Sequence, residues 1–293
     1  MPDWQHIFFP DRFNCIFCDA ELQERQPDGI CNNCRANTRT IPGDEKCLKC
    51  GTSLPTMAEL CLNCKENARL FDLCRAPFAF EDAPARAVLR LKFNNAQWLA
   101  KYFAYSMFLK FQEEKQFGEQ YEQHGQSGPD NKDEQGGQSN PDNKDEQRGQ
   151  PNPDNQGGQN LNCSLIIPVP LSPQRQKQRG FNQAELIAAH ISTLLMRPLN
   201  TQAVEKIKET EAQTGIGSAR IREKNLHGAY KVTDKSAVKG RRILLIDDVI
   251  TTGSTLNEVA KTLKKAGAES VVCLTYAATV NPLFRTDAGS ENV

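Results

Sequence analysis

The spacing of apolar residues divides the carboxyl-terminal half of the chain into alternating strands and helices. Short, nearly continuous apolar runs at residues 164–170, 242–247 and 270–277 predict buried strands. Between the last two, residues 255–266 carry apolar positions at helical spacing, and Gly267 follows where such a helix would end. Apolar strands joined by helices indicate a parallel sheet that is covered on both faces. The pattern therefore predicts an α/β fold with a doubly wound, mostly parallel sheet.

Two further segments have the pattern of amphipathic helices. Residues 182–195 begin with Asn182, a good N-cap residue, and Glu185 follows three positions later, as in a capping box. Residues 83–111 are helical in pattern, with a break expected at the two asparagines at 94 and 95. The positions predicted to be buried in this segment are Val88, Leu89, Leu91, Leu99, Phe103 and Met107.

A low-complexity segment interrupts the globular part of the chain. Residues 123–160 contain almost no apolar residues and repeat a twelve-residue pattern, as in GPDNKDEQGGQS and NPDNKDEQRGQP. Such a segment cannot bury enough surface to offset the entropy of ordering, so residues 111–162 are predicted to be a disordered insert. A solenoid would need an apolar position in each repeat, and these repeats have none. The predicted organisation is a cysteine-rich module (1–75), a globular domain (76–110 with 163–282), the insert, and a tail (283–293).

Charge is distributed unevenly along a chain whose formal net charge is zero. The insert carries 11 acidic and 4 basic residues, whereas residues 171–242 carry 14 basic and 6 acidic residues. A basic stretch of this size suits phosphate-bearing ligands or nucleic acid, and a solvated basic surface is the alternative. No apolar run is long enough for a membrane helix, and the first fifteen residues lack the pattern of a signal peptide. We therefore expect a cytoplasmic protein without membrane insertion.

Eight of the eleven cysteines form four C-x-x-C pairs. The pairs are Cys15/Cys18, Cys31/Cys34, Cys47/Cys50 and Cys61/Cys64, separated by 12, 12 and 10 residues. Two such pairs supply four thiolates to one tetrahedral zinc ion, so two closed structural zinc sites are predicted. One pair alone could be a redox dithiol, but four pairs within 50 residues favour metal. Sequential pairing, first with second and third with fourth, is favoured over an interleaved cross-brace, which the spacing leaves open.

The segment ILLIDDVITTGST, residues 243–255, joins an apolar strand to two carboxylates and a run of small hydroxyl residues around one glycine. Its place between a strand and a helix puts the loop at the carboxyl end of the sheet, where ligands of such folds bind. The helix N-terminus suits a phosphate, whereas Asp247 and Asp248 would repel one and suit sugar hydroxyls or Mg²⁺. A sugar phosphate is therefore the predicted ligand. The alternative is a purely structural turn in which Thr255 and Glu258 form a capping box.

The same segment resembles the phosphoribosyl pyrophosphate (PRPP) motif of type I phosphoribosyltransferases. Together with the C-x-x-C pairs, three blocks make the chain resemble the ComF family (ComFC and GntX-like proteins): APFAFEDAPARAVLRLKF (76–93), IIPVPLSPQRQKQRGFNQAELIA (166–188) and QTGIGSARIREKNLHGAY (213–230). The resemblance implies that Asp247 and Asp248 contact the ribose hydroxyls, directly or through Mg²⁺. The residues implied to bind the phosphates are Thr251, Thr252, Gly253, Ser254 and Thr255 at the 5′-phosphate, Arg179 and Gly180 near the pyrophosphate, with Arg175 a weaker candidate, and Arg222 in a loop that closes over the ligand.

The resemblance implies two functions of different classes. The first is an Mg-dependent phosphoribosyltransferase, a glycosyltransferase of nucleoside metabolism, which transfers phosphoribose to an unknown acceptor and releases pyrophosphate. The second is a non-catalytic accessory protein of competence and DNA uptake, which binds single-stranded DNA and other competence proteins and uses the PRPP site as a sensor. A nucleotide-responsive regulator is a third and weaker hypothesis. Pyrophosphate release that depends on an acceptor would favour the first function, and a DNA affinity that falls steeply with salt would favour the second.

Overall fold

One parallel sheet organises the computed structural model, which describes residues 14–22, 29–41, 46–54, 59–124, 162–209 and 226–280. Its strands are β1 (Leu73–Arg75), β2 (Phe78–Ala79), β3 (Leu165–Pro168), β6 (Arg242–Ile250) and β7 (Ser270–Ala278), while β4 (Val204–Lys206) and β5 (Tyr230–Val232) form a separate antiparallel ribbon. In the sheet, β6 pairs with β3 and β7, and β7 pairs in turn with β1 and β2. The predicted strands and the predicted fold class are confirmed.

Helices lie before and between these strands, and those predicted within residues 83–111, 182–195 and 255–266 are present. The helices are α1 (Asn32–Ala36), α2 (Leu62–Glu66), α3 (Asp82–Phe93), α4 (Leu99–His124), α5 (Pro173–Arg179), α6 (Gln183–Leu195), α7 (Lys235–Val238) and α8 (Ser254–Lys265). The predicted N-cap of α6 is confirmed, because the side chain of Asn182 accepts the N–H of Ala184 at 3.1 Å. Every described helix is too short or too polar to cross a bilayer.

Both faces of the sheet are packed, which explains why its strands consist of continuous apolar runs. Alternate residues of a strand point to opposite faces, so Ile243 and Leu245 of β6 share one face. They belong to the same core as the apolar stripe of α8, which includes Val259. On the opposite face, Tyr276 of β7 stacks on Phe103 of α4, with ring centroids 3.6 Å apart. The carboxyl ends of the strands are thereby held in place for the loops that follow them.

Helices α3 and α4 confirm the break predicted at Asn94 and Asn95 and most of the predicted buried positions. The prediction is wrong for Leu89, which is 49% exposed, while Val88 and Leu91 are fully buried. Residues 88 and 91 lie on one stripe of the helix, and Leu89 is rotated about 100° from Val88, outside that stripe. A leucine next to two core residues therefore faces outward.

Helix α4 runs past residue 111, where composition predicts that the disordered insert begins. Residues 111–124 are helical instead. Phe111 is buried one turn after Met107, and the Gln, Glu and Lys residues that follow are good helix formers. Residues 125–161, which hold the repeats, lie outside the described residues, as does the tail from residue 281. Among the described residues, those up to Phe111 and from Asn162 onward belong to one compact unit, and residues 112–124 belong to a separate one.

Candidate functional site

The eight paired cysteines form two separate four-sulfur clusters. The first consists of Cys15, Cys18, Cys31 and Cys34, the second of Cys47, Cys50, Cys61 and Cys64, and in each the Sγ atoms lie within 4.8 Å of one another. Four sulfurs bound to zinc at about 2.3 Å stand about 3.8 Å apart. The Cys18–Cys31 and Cys50–Cys61 sulfurs are 3.8 Å and 3.7 Å apart, so the clusters fit zinc. The sequential pairing is confirmed and the cross-brace is excluded.

The candidate phosphate loop meets the N-terminus of α8 at Gly253. This residue is the N-cap of the helix and has a φ of 74°, a conformation that glycine adopts without strain. The hydroxyls of Thr252 and Ser254 lie 2.9 Å apart, and the N–H of Ser254 points to Thr252 Oγ1 at 3.4 Å. The first amides of a helix have no partner within it, so this loop presents donors and hydroxyls at a positive helix end. Thr251 is exposed and Thr255 half-buried beside it.

The capping box considered as a structural alternative for this turn is wrong. Helix α8 begins at Ser254, so Thr255 already lies inside it and is not its cap. The carboxylate of Glu258 accepts the N–H of Gly228 at 2.8 Å and pairs with Lys261 at 3.6 Å. Glu258 therefore connects α8 to the residues before β5.

The two aspartates of the motif have different surroundings. As neighbours in β6 they point to opposite faces of the sheet, and Asp247 Oδ1 accepts the N–H of Asp248 at 2.9 Å. Burial raises the pKa of Asp247 to about 7, and the negative charge of Asp248 is the second cause of this shift. The positive charge of Lys92 opposes it. Asp247 thus changes its charge close to neutral pH.

Lys92 at the end of α3 forms an ion pair with Asp248. Its Nζ lies 2.7 Å from Oδ2 of a carboxylate whose side chain is only 9% exposed. Lys92 lies in the segment 76–93 that carries part of the family resemblance, but the spacing of its apolar neighbours does not single it out. The structure therefore adds a cation to the site.

A cleft of about 510 Å³ opens beside this ion pair. It is lined by Lys92, Phe93, Asn95, Arg175, Gln178, Arg179 and Phe181. The Arg179 guanidinium lies 5.2 Å from the centre of the Phe93 ring. Burial lowers the pKa of Arg179, and the negative charge of Asp248 opposes this shift.

Two further residues are predicted to bind the ligand, Gly180 and Arg222. Gly180 ends α5 in the left-handed conformation, at a φ of 79°. Arg222 falls between β4 and β5 and lies outside the described residues. The structure places Arg175 and Arg179 on the cleft that Lys92, the partner of Asp248, also lines, and the loop 251–255 follows the two aspartates at the carboxyl end of β6.

Two residues of the cysteine-rich module reach the phosphate loop. The carbonyl of Thr252 accepts hydrogen bonds from Asn63 Nδ2 at 3.1 Å and from Arg69 Nη2 at 2.7 Å. Next to Arg69, the N–H of Leu70 donates to the side chain of Asn257 in α8 at 2.6 Å. Nothing in the sequence signals these contacts, because they join residues more than 180 positions apart.

Two family models match the chain. A double zinc ribbon domain matches residues 4–76, and a phosphoribosyl transferase domain matches residues 180–287. The first covers both cysteine clusters, and the second covers the motif and the loop that follows it. The two matches agree with two four-cysteine zinc-binding sites that precede an α/β domain.

Curated relatives match over different lengths. Competence protein F of Haemophilus influenzae is 30% identical over 260 residues, which cover 88% of this chain and 94% of that protein. DNA utilization protein YhgH of Escherichia coli K12 is 39% identical over 106 residues, 36% of this chain and 45% of the relative. Competence protein ComFC of Bacillus subtilis is 33% identical over 111 residues, 37% of this chain and 41% of the relative. The last two matches span less than half of those relatives.

Proposed function

Because the chain belongs to the competence protein F family, with a double zinc ribbon and a phosphoribosyl transferase domain, we propose that it binds PRPP with Mg²⁺ and transfers the phosphoribosyl group to a nitrogen acceptor. One observation carries this proposal. The loop 251–255, at the N-terminus of α8, lies next to two carboxylates at the carboxyl end of a central strand. That combination suits a molecule with a phosphate at one end and hydroxyls in its middle.

The phosphate loop binds the 5′-phosphate in this proposal. Backbone amides at the start of α8 and the hydroxyls of Thr251, Thr252, Ser254 and Thr255 donate to the phosphate oxygens. Gly253 has no side chain, so the backbone can approach the ligand closely. The position of the 5′-phosphate in turn fixes the ribose against β6.

The two aspartates bind the ribose hydroxyls and stabilise the charge that develops on the ring. When pyrophosphate leaves, the bond from C1′ to its oxygen breaks, positive charge develops on the ribose, and the acceptor nitrogen forms the new bond and loses a proton. Bound Mg²⁺ would supply positive charge to the leaving pyrophosphate, and adjacent carboxylates are oxygen donors of the kind that this cation prefers. Lys92 holds Asp248 in place before the sugar binds.

The cleft beside Lys92 receives the pyrophosphate end. Arg175 and Arg179 line this cleft, and their charges would oppose the charge of the leaving group. Arg179 is oriented by Gln183, whose Oε1 accepts from Nη1 at 3.0 Å. Arg222 completes the proposed set of cations.

A second function is favoured by the composition of the same cleft. Phe93 is 66% exposed and lies beside Arg179, and Phe181 lines the cleft as well. Aromatic rings with nearby arginines bind the bases and backbone of single-stranded nucleic acid. A non-catalytic protein that binds single-stranded DNA and uses PRPP as a signal would use the same residues, and the names of the relatives point to competence and DNA utilization.

Either function places the protein in the cytoplasm, where thiols stay reduced and available for zinc.

Calorimetric titration of the zinc-loaded protein with PRPP and Mg²⁺ tests the shared premise. We expect micromolar binding in the parent and its loss in the Asp247→Asn, Asp248→Asn double variant. The Asp234→Asn variant, which changes an exposed helix cap of α7, serves as the control and should bind like the parent. Absence of binding in the parent would overturn the proposal.

A screen of nucleobases for PRPP-dependent pyrophosphate release then separates the two functions. Release that requires one base supports the transferase. Binding of PRPP without release, together with a DNA affinity that falls steeply with salt and changes with PRPP, supports the second function.

A further inference from the structure

The two cysteine clusters contain the same local motif but have different neighbours. Residues 31–37 (CNNCRAN) and 61–67 (CLNCKEN) both follow the pattern C-x-N-C-x-x-N. In each, the last asparagine donates through Nδ2 to the carbonyl and the side-chain oxygen of the middle asparagine: Asn37 to Asn33, and Asn67 to Asn63. Within the described residues, only the second copy has a middle asparagine that also donates to the phosphate loop, through the Asn63–Thr252 bond. The second zinc site is therefore joined to the loop by a residue that lies between two of its ligands.

Arg69 adds a second and shorter bond to the same carbonyl. Its Nη2 lies 2.7 Å from Thr252 O, and a Cβ built on Gly253 would lie 3.7 Å from its Cζ. The guanidinium thus borders the turn from the side of the zinc module. Its charge also adds to the positive end of α8, where a phosphate would bind.

The bonds to Thr252 determine the direction of the peptide group that leads into α8. In a trans peptide the carbonyl and the following N–H point in opposite directions. Because Asn63 and Arg69 hold the Thr252 carbonyl on the side of the zinc module, the Gly253 N–H points away from that module. Without these two donors, fewer hydrogen bonds restrain the rotation of this peptide group. Glycine at position 253 permits such rotation more readily than any other residue type.

The rest of the second cluster is fixed to the sheet. The N–H of Cys74 in β1 donates to Lys49 O at 2.8 Å, and Arg75 Nη1 donates to Leu48 O at 2.9 Å. Lys49 and Leu48 lie between the ligands Cys47 and Cys50. One half of the zinc site is thus anchored on β1, while the other half, through Asn63, holds the phosphate loop.

From these contacts we infer that the second zinc site, through the positioning residues Asn63 and Arg69, sets the geometry of the phosphate loop. Metal binding at Cys47, Cys50, Cys61 and Cys64 and ligand binding at residues 251–255 are then linked and must strengthen each other reciprocally. In the part of the chain that the structure describes, the first zinc site makes no such contact with the loop. The inference about ligand affinity rests on the proposed function, but the inference about loop geometry does not.

The two copies of the motif supply a matched pair of variants. Asn63→Ala removes the bond to Asn67 and the bond to Thr252, whereas Asn33→Ala removes only the equivalent bond to Asn37. Hydrogen exchange of the peptide that covers residues 249–257 reports on the loop without any ligand. We expect faster exchange there in Asn63→Ala and Arg69→Ala, and exchange as in the parent in Asn33→Ala, with two zinc ions per chain in every variant. Arg69→Lys, which keeps one donor, should restore part of the protection.

Titration with PRPP and Mg²⁺ tests the linkage itself. We expect about tenfold weaker binding in Asn63→Ala and in Arg69→Ala, as for the loss of one well-placed hydrogen bond, and parent affinity in Asn33→Ala. The reciprocal measurement is zinc occupancy against a chelator, where PRPP should protect one of the two zinc ions.

The outcomes separate the two proposals. Unchanged exchange of residues 249–257 in Asn63→Ala and Arg69→Ala overturns the positioning role, whatever PRPP does. If the parent does not bind PRPP but residues 249–257 exchange faster in Asn63→Ala and Arg69→Ala, the positioning role stands and the proposed function is overturned. If Asn63→Ala and Asn33→Ala change the exchange of the loop equally, the positioning role of the Asn63–Thr252 bond is overturned.

Discussion

The ammonium of Lys92 lies 2.7 Å from the carboxylate of Asp248, and this pair joins the end of α3 to the central strand β6 at the candidate site. The side chains are 21% and 9% exposed, so both charges are largely removed from water. A buried charge is costly when its partner is removed, because the desolvation penalty stays while the attraction is lost. The pair therefore has consequences for stability as well as for binding.

Replacement of Lys92 by methionine should lower the free energy of unfolding by about 1–3 kcal/mol, the usual cost of an unsatisfied buried group. Urea unfolding at pH 8 measures this value. Lys231→Met is the control, because Lys231 and Glu205 lie 3.8 Å apart and are 65% and 49% exposed, and such pairs contribute little. Equal effects of the two substitutions would show that Asp248 does not depend on Lys92.

The raised pKa of Asp247 predicts a pH dependence of ligand binding. With a pKa of about 7, Asp247 is mostly protonated at pH 6 and mostly ionised at pH 8. An ionised carboxylate binds Mg²⁺ and ribose hydroxyls better, so the affinity for PRPP with Mg²⁺ should rise about tenfold over this range. The ligand's own phosphates also titrate, so the informative quantity is the ratio of the parent's affinity to that of Asp247→Asn. A ratio that is constant from pH 6 to pH 8 would contradict the prediction.

The same pKa predicts a pH dependence of stability with a definite sign. The folded protein holds the proton of Asp247 up to about pH 7, whereas the unfolded chain releases it near 3.8, so stability falls as pH rises between these values. Asp247→Asn removes this cost. The variant should gain more stability over the parent at pH 8 than at pH 5, by about 3 kcal/mol. Urea titrations at the two pH values measure the difference, and an equal gain at both would contradict the sign.

Alanine variants of two glycines with similar backbone conformations distinguish the effect of backbone strain on stability from an effect on ligand binding. Gly253 has a φ of 74° and Gly240 has a φ of 68°. A Cβ added to Gly253 would lie 3.4 Å from Ile250 Cδ1, whereas a Cβ added to Gly240 would contact nothing. Each glycine-to-alanine change should cost about 1–2 kcal/mol of stability, because alanine is strained in the left-handed region. Only Gly253→Ala should also weaken PRPP binding. Equal binding by both variants in calorimetry would argue against a phosphate at this loop.

Loss of each zinc site should have different effects on the fold. The cysteines Cys47 and Cys50 belong to the hydrophobic core that contains residues of β6 and α8, and Cys61 and Cys64 pack against it, whereas the first cluster is not part of that core. Cys64→Ser should therefore lower the midpoint of thermal unfolding by more than Cys34→Ser, which has the matching place in the first cluster. Zinc content per chain must be measured with each variant. A larger loss in Cys34→Ser would contradict this assignment.

The parts of the site that lie close together in the sequence could be predicted from it. The strand, the loop and helix α8 are contiguous, so their apolar pattern and small residues indicate a ligand-binding turn. The four C-x-x-C pairs likewise carry their own spacing, and the favoured sequential pairing is confirmed. The capping box of Thr255 and Glu258 could be rejected only from the structure, in which α8 begins at Ser254 and the Glu258 carboxylate accepts from Gly228, 30 positions away.

Contacts between distant segments could not be predicted from the pattern of apolar and polar residues. Asn63 and Asn33 occupy equivalent places in two copies of one motif, and the sequence does not show which copy meets Thr252. Lys92 follows a helical stripe whose apolar residues are informative, but a lysine at its end is typical of a solvated helix terminus. Leu89 shows the opposite error, because an apolar residue beside a stripe need not belong to it.

The order of strands in the sheet also bears on how the chain folds during synthesis. Strand β1 finds its partner in β7, with Leu73 opposite Val272, roughly 200 residues later. A ribosome adds about 5–20 residues each second, so β1 waits for tens of seconds with its backbone edge unpaired. An exposed strand edge can pair with other chains, which makes the nascent chain vulnerable to aggregation. Zinc uptake by the early cysteine pairs would order the neighbouring residues during this interval and shield them until the last strand arrives.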